Sequence, residues 1–408
     1  MFSSSLFARA LPLSVIGAAA LIITPVVAAQ PWPLGALTLN SQSDPNVPPG
    51  YTAQGFTVTC PGVTQSINGF IAVRHAQGQP RGMLVTATGG GGTSYWAPSG
   101  SVTYTFAEEL RALGFSIAQI RWATNWLESS PGNDAGQARL GCRPATVIKH
   151  IHETYYRPLG IYPLHPGEAG FAMTGNSGGA TQTGYALSHY GLDEIIDVAI
   201  PTGGPPHGAL AKSCMNNPGE QAYWFQLQTR EFIDRGFGFF DDNGPAAQHD
   251  ASFIPRWLQA SHSTGGNDYF HPRTRVHFIV GEYDLQMQAT AGDYYQRLAA
   301  EGTPYVRWEI APGTAHGVPA SAAGRAAIKA ALLQTWPVTT SLSRDGDDIT
   351  IQWSSNAARQ YQLQWKQALT DAEWTDLGAP VTANASTTST TVSTGGAEQG
   401  FYRVRLLP

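Results

Sequence analysis

Charge is what this chain has least of. Only 24 of its 408 residues are basic and 29 acidic, a charged share of 13%, about half the usual fraction in soluble domains. Lysine occurs four times, at Lys149, Lys212, Lys329 and Lys366, and no Lys/Arg run is present. With a formal net charge of −5, nucleic-acid binding through a basic surface is excluded. Apolar residues at 42% exclude a disordered chain, which needs low hydrophobicity and high net charge. The 45 glycines and 28 prolines follow no fixed period, which excludes collagen. Three cysteines without a C-x-x-C pair cannot by themselves build a four-ligand structural zinc site. Beyond the N-terminus no apolar run approaches the roughly 20 residues that span a bilayer.

The N-terminus reads as an address. Arg9 is the only charge before an apolar run over 11–23, and the small residues Val27-Ala28-Ala29 follow. This is the pattern of a secretory signal, expected to occupy 1–29 and to be removed after Ala29. The mature protein is then secreted or periplasmic, without stable membrane insertion. An oxidising compartment predicts one disulfide among Cys60, Cys142 and Cys214 and one free thiol, the pairing being open.

From residue 30 onward strand-like and helix-like segments alternate. An extended leader covers 30–50. Short apolar strands are predicted at 70–74, 82–88, 115–120, 170–174, 195–200, 275–280 and 306–310. Helices are predicted at 102–113, 145–156, 180–190, 292–301 and 320–336, the first capped by Ser101. Such alternation implies parallel pairing with right-handed crossovers, and near-continuous apolar strands fit a sheet covered on both faces. The expected fold is α/β, a doubly wound, mostly parallel sheet over 30–336. The stretch 201–274 is too long for a simple crossover and rich in Phe and Trp, so it is read as a cap over the sheet edge. From 337 to 408 the pattern changes to short alternating strands with a turn at Asp345-Gly346-Asp347-Asp348, which predicts a small all-β sandwich.

The motif G-x-S-x-G occurs once, at Gly175-Asn176-Ser177-Gly178-Gly179. Chance supplies about 0.3 such motifs in a chain this rich in glycine and serine, so position must carry the weight. It falls between a predicted strand and a predicted helix, where a sharp turn exposes the serine hydroxyl. A serine nucleophile needs a base, and the base needs an orienting acid. His316 follows the strand at 306–310 and Asp284 the strand at 275–280. All three thus lie just past the C-terminal ends of predicted strands, the rim where parallel sheets bind ligands. Asp293, inside a predicted helix, ranks behind Asp284. The run 89–92 of four glycines lets the chain curl toward a ligand and present amide hydrogens. Gly90, Gly91 and the N–H of Gly178 are the expected oxyanion donors.

These residues resemble the α/β-hydrolase family, its esterases and lipases in particular, over roughly 82–336. That resemblance implies Ser177 as nucleophile, His316 as base, Asp284 as orienting acid, and no cofactor or metal. Thr88 stands before the glycine run, where one esterase branch carries His. The tail is similar to a fibronectin type III-like module in its Trp353, Tyr361-x-x-x-Trp365 and closing F-Y-R-V-R.

Trp122 and Trp126 are candidates for an aromatic wall against the substrate, with core packing equally open. His207 is a candidate for the pocket mouth, with a plain loop residue the stronger alternative. His150 and His152 point to different sides of a helix and do not form a metal pair. Asp241-Asp242-Asn243-Gly244 lacks the later bidentate Glu of a calcium loop and reads as a turn. The expected activity is carboxylic-ester hydrolysis through an acyl-enzyme, on polymer-linked or aromatic esters. A peptidase or amidase on the same scaffold, or a non-catalytic binding or adhesion protein, are the alternatives.

Overall fold

The alternation seen in the sequence becomes one large sheet in a computed structural model, which describes residues 30–161, 169–333, 339–355, 360–384, 387–393 and 400–407. The expected signal segment 1–29 lies outside the described residues. Nine strands are β1 (Ala36–Asn40), β2 (Thr52–Cys60), β3 (Val63–Arg74), β4 (Gly82–Ala87), β5 (Phe115–Trp122), β6 (Phe171–Asn176), β7 (Val198–Thr202), β8 (Arg275–Gly281) and β9 (Val306–Ala311). Their spatial order is β1-β2-β3-β5-β4-β6-β7-β8-β9. The first three and β5 pair antiparallel; β5-β4-β6-β7-β8-β9 pair parallel. This is the expected α/β fold, a doubly wound, mostly parallel sheet with the strand order reversing direction at β4.

Strand side chains alternate between two cores. Met83, Val85 and Ala87 of β4 join Trp122, Met173, Phe278 and the helices Cys142–Ile151, Gly178–Ser188 and Leu285–Ala300 on one face. Leu84, Ile117, Ala172 and Ile279 meet Phe106, Leu110 and Ile328 of Val102–Ala112 and Ala322–Leu333 on the other. Each such side chain removed from water contributes about 1.5–3 kcal/mol, so both layers are held to the sheet. Ser101 caps its helix as expected, its Oγ accepting from the Tyr104 N–H at 3.0 Å.

Three expectations need correction. The leader at 30–50 contains β1, and β2 was not anticipated at all, although Phe56, Val58 and Cys60 alternate inward along it. The helix placed at 292–301 runs Leu285–Ala300, because Gly292 lies inside it rather than at its start. The helix placed at 145–156 runs Cys142–Ile151 and widens into a π-helical turn at His152–Tyr156. The insertion 201–274 is a set of short helices whose Phe225, Ile233, Phe237 and Trp257 enter the main core.

Cys60 of β2 and Cys142 form the disulfide, leaving Cys214 free and buried. The two cysteines lie 82 residues apart, and closing a loop of that size removes chain entropy worth roughly 4 kcal/mol. Reduction is expected to lower the unfolding free energy by about that amount, measured by urea titration with and without reductant. An unchanged midpoint would disprove it.

The tail forms small antiparallel sheets. Thr339–Asp345, Asp348–Ser354 and Thr387–Ser393 make one; Gln360–Lys366 centres the other, paired with Phe401–Leu406 and two short strands. Ile349, Ile351, Trp353, Tyr361, Leu363, Ala383 and Val404 fill the space between. Trp374 is half-buried, with the Lys366 ammonium 4.9 Å and the Arg403 guanidinium 4.3 Å from its ring centre.

Candidate active site

The turn after β6 is made by what glycine omits. A Cβ on Gly175 would sit 2.5 Å from the backbone of Gly179, and one on Gly179 would sit 2.3 Å from the Ala87 carbonyl. Only hydrogens fit there. Between them Ser177 adopts φ 56°, a left-handed conformation costing a non-glycine residue roughly 1–2 kcal/mol. The Ser177 N–H donates to Thr202 O of β7 at 2.9 Å, fixing the turn to the neighbouring strand. Ser177 is half-buried at the N-terminus of Gly178–Ser188, where free amides and the helix dipole favour negative charge.

The loop after β4 closes over this turn. A Cβ on Gly178 would lie 2.3 Å from Gly90 O, and one on Gly89 3.8 Å from Ser177 Oγ. The N–H groups of Gly90, Gly91 and Gly178 have no acceptor among the described residues. Gly90 packs directly against Gly178, the residue after the serine. The Trp126 N–H donates to Gly91 O at 3.2 Å and the Trp122 N–H to Gly92 O at 2.9 Å, so the loop is pinned from beneath.

His316 and Asp284 form a pair. His316 Nδ1–H donates to Asp284 Oδ2 at 2.8 Å. A carboxylate can only accept, so this contact puts the ring proton on Nδ1 and leaves Nε2 to accept. The Asp284 side chain is 10% exposed and that of His316 48%: the acid is sheltered while the imidazole faces outward. Asp284 stands immediately before the helix Leu285–Ala300. Asp293, the lesser candidate, is committed elsewhere, accepting from Lys212 Nζ and the Tyr223 hydroxyl, both at 2.7 Å.

What brings the histidine loop to the serine turn is Asn176, which carries no local signal of this role in the sequence. Its Oδ1 accepts from the Val318 N–H at 3.2 Å and from Thr202 Oγ1 at 3.3 Å. Gly203 is wedged at the same point, since a Cβ there would lie 2.5 Å from His316 O and 2.8 Å from Asn176 Oδ1. The backbone of 316–318 thus touches the residue preceding Ser177. Asn176→Ala frees that loop and is expected to lower kcat/KM about 10- to 100-fold, since small misplacements of reacting groups are costly. Asn176→Asp, which keeps the acceptor, restores most of it. Equal kinetics for Asn176→Ala and the parent would refute this role.

Three expected substrate contacts are not at an open surface. Trp122 and Trp126 are fully buried. Trp122 packs edge-on against Phe56 with centroids 5.4 Å apart; the Cβ direction of Gly92 points at both indoles. They support the glycine loop from the core. His207 is buried too, its Nδ1 3.1 Å from the Tyr185 hydroxyl, because the chain after β7 dives inward. The exposed apolar side chains at the rim are instead Tyr283 and Leu285, 68% and 67% exposed, flanking Asp284. Asp241, Asp242 and Asn243 are exposed in a turn whose Asn243 N–H donates to Asp241 Oδ1 at 3.2 Å, while Gly244 is buried against Asp234.

No protein-family model matches the chain, and no curated protein sequence does. Among solved structures it is similar to carboxyl esterase 2 from the mycorrhizal fungus Tuber melanosporum (12% identity, 70% of this chain and 87% of that one, TM-score 0.44). It is similar to a bacterial heroin esterase (18%, 70% and 86%, 0.41). An acylaminoacyl peptidase from Pyrococcus horikoshii also matches (11%, 69% of this chain, 0.42), this chain spanning 40% of its length. Identities this low, at scores under 0.5, say nothing of what this chain acts on.

Proposed function

We propose that the protein is an exported serine hydrolase that cleaves carboxylic esters. The observation that carries the reading is the serine at φ 56° on the same sheet rim as a His316–Asp284 pair bonded at 2.8 Å. Ser177 Oγ attacks the ester carbonyl carbon as its proton passes to His316 Nε2. The carbonyl π electrons move onto oxygen, where the Gly178, Gly90 and Gly91 amides receive them; one such donor is typically worth about 3 kcal/mol. Asp284 stabilises the imidazolium through Nδ1–H without taking its proton. Collapse of the intermediate breaks the C–O bond, the leaving alkoxide takes the proton from His316, and an acyl-enzyme remains. Water activated by the same imidazole then releases the acid and restores Ser177.

Tyr283 and Leu285 at the rim favour an apolar or aromatic group on the ester. The Cys60–Cys142 disulfide fits an oxidising compartment, in line with the N-terminal signal pattern. The tail sandwich suits a tethering module of fibronectin type III type, directing the hydrolase to polymer-linked esters. A fluorophosphonate probe is expected to label one residue, Ser177, and the protein to hydrolyse aryl and short-chain esters faster than peptide or amide analogues. Absence of labelling would end the hydrolase reading; labelling with faster amide cleavage would make the protein a peptidase or amidase.

A further inference from the structure

Opposite the serine rim, at the N-terminal ends of β7 and β8, three metal-ligating side chains meet. Asp193 lies in the short helical turn Leu192–Glu194 that leads into β7. Asp268 and His271 lie in the loop that ends the insertion and leads into β8. One ligand atom from each falls within 4.8 Å of the others. We infer that Asp193, Asp268 and His271 form a structural binding site for a divalent transition-metal ion of the Zn2+ class.

Two observations point the same way. His271 is fully buried, yet neither ring nitrogen has a hydrogen-bond partner among the described residues. Leaving buried polar nitrogens unmade is costly, and a bound cation would satisfy one of them. Its Nδ1 lies 3.4 Å from Asp193 Oδ2. Bonds of about 2.0–2.1 Å in a tetrahedral site place neighbouring ligand atoms about 3.3–3.4 Å apart, so this edge of the tetrahedron is already formed. The charge argues likewise. Neither Asp193 nor Asp268 has a Lys or Arg ion pair among the described residues. Two carboxylates and an imidazole therefore converge with no Lys or Arg paired to either carboxylate among the described residues.

The surrounding backbone holds the ligands in place. The Asp268 N–H donates to Ser188 O at 3.1 Å, and Asp268 Oδ1 accepts from the Phe270 N–H at 2.8 Å, leaving Oδ2 for a ligand. Thr274 Oγ1 donates to Asp193 O at 2.8 Å, and the His271 N–H donates to Thr303 Oγ1 at 3.1 Å. The mixed nitrogen and oxygen set selects Zn2+ or a neighbouring transition ion over Ca2+, which prefers oxygen alone. A water would complete the fourth position. Bound metal would join the end of the insertion to the segment entering β7, fastening two stretches that sequence separates by more than 70 positions.

The test uses the untagged mature protein, stripped with a chelator. Calorimetric titration with ZnCl2 is expected to give one site per chain, elemental analysis one zinc retained after dialysis, and thermal denaturation a higher Tm with zinc than without. His271→Gln and Asp268→Asn are each expected to weaken that site at least about tenfold and to abolish the zinc-dependent rise in Tm. Circular dichroism and unchanged ester turnover would show both variants folded, since the serine site lies on the far rim. Failure to retain one equivalent, unaltered binding in both variants, or a site that takes Ca2+ in preference to Zn2+ would each overturn the inference.

Discussion

Replacing Ser177 by alanine will lower ester turnover about a millionfold, the loss seen when a triad nucleophile is removed. The size of the effect follows from the division of labour at the site. Without the hydroxyl no acyl-enzyme forms, and His316 and Asp284 are left to serve a nucleophile that is absent. What remains is binding and the Gly178, Gly90 and Gly91 amides, which alone sustain about 10³–10⁴ over the uncatalysed rate. Fluorophosphonate labelling disappears with turnover. A second substitution separates chemistry from strain. Ser177→Gly removes the same hydroxyl but also relieves the φ of 56°, so its turnover matches that of Ser177→Ala while its unfolding free energy rises by roughly 1 kcal/mol above the parent. Initial rates on an aryl ester and urea melts of the three proteins check both statements. A Ser177→Ala protein keeping even a hundredth of the parent rate would remove Ser177 from the chemistry.

The parallel half of the sheet was legible because its strands are short apolar runs bounded by glycine. Strands β4, β6 and β8 read that way, and the candidate residues Ser177 and Asp284 stand just after the last two, with His316 after β9. Strand β2 escaped because Thr, Gln and Gly dilute its alternation, and its stability comes from pairing on both edges rather than from its own pattern. Trp122 and Trp126 show a different limit. An aromatic just after a strand can face a ligand or turn under the loop. Here the choice was made by Gly92, whose missing side chain leaves room for both indoles. Asn176 lay inside the motif but in a variable position, and its use, accepting from Val318 far along the chain, is a tertiary fact with no local sign. The same holds for Asp193, Asp268 and His271. Spacing rules detect ligands on one helix or loop, and these are split between two.

Acidification from pH 7.5 to pH 5 will strip several kcal/mol from the stability of the fold, through a cluster of buried imidazoles that no sequence pattern marks. His189, His207 and His262 surround Tyr185, with the His262 ring stacked on the Tyr185 ring at 4.1 Å. Their hydrogen bonds suit the neutral forms. Tyr185 donates its hydroxyl to Ala260 O at 2.7 Å and so accepts from His207 Nδ1–H at 3.1 Å. Ser188 donates to Gly184 O and accepts from His189 Nδ1–H at 2.9 Å. His262 Nε2–H donates to Thr181 O at 3.2 Å. Burial, followed by mutual repulsion with His262, pushes His189 down to about 3 and His207 well below its usual value; burial pushes His262 to about 4. In the unfolded chain all three titrate near 6.5. A group whose folded pKa is depressed gives its full stabilisation to the neutral form above the unfolded pKa, so stability is complete above pH 6.5 and drains as pH falls toward 4. By pH 5 the loss is roughly 2 kcal/mol each for His189 and His262, with His207 acting in the same direction, against a total of about 5–15 kcal/mol for a typical fold. Urea titrations at pH 7.5, 6 and 5 will show the midpoint falling, and unfolding at pH 5 will take up protons from this cluster, close to one each at His189 and His262. His262→Phe preserves the stack on Tyr185 and removes one titrating group, so the midpoint will fall less steeply with pH in that variant. A midpoint that stays level down to pH 5 would mean these imidazoles are not buried as neutral groups.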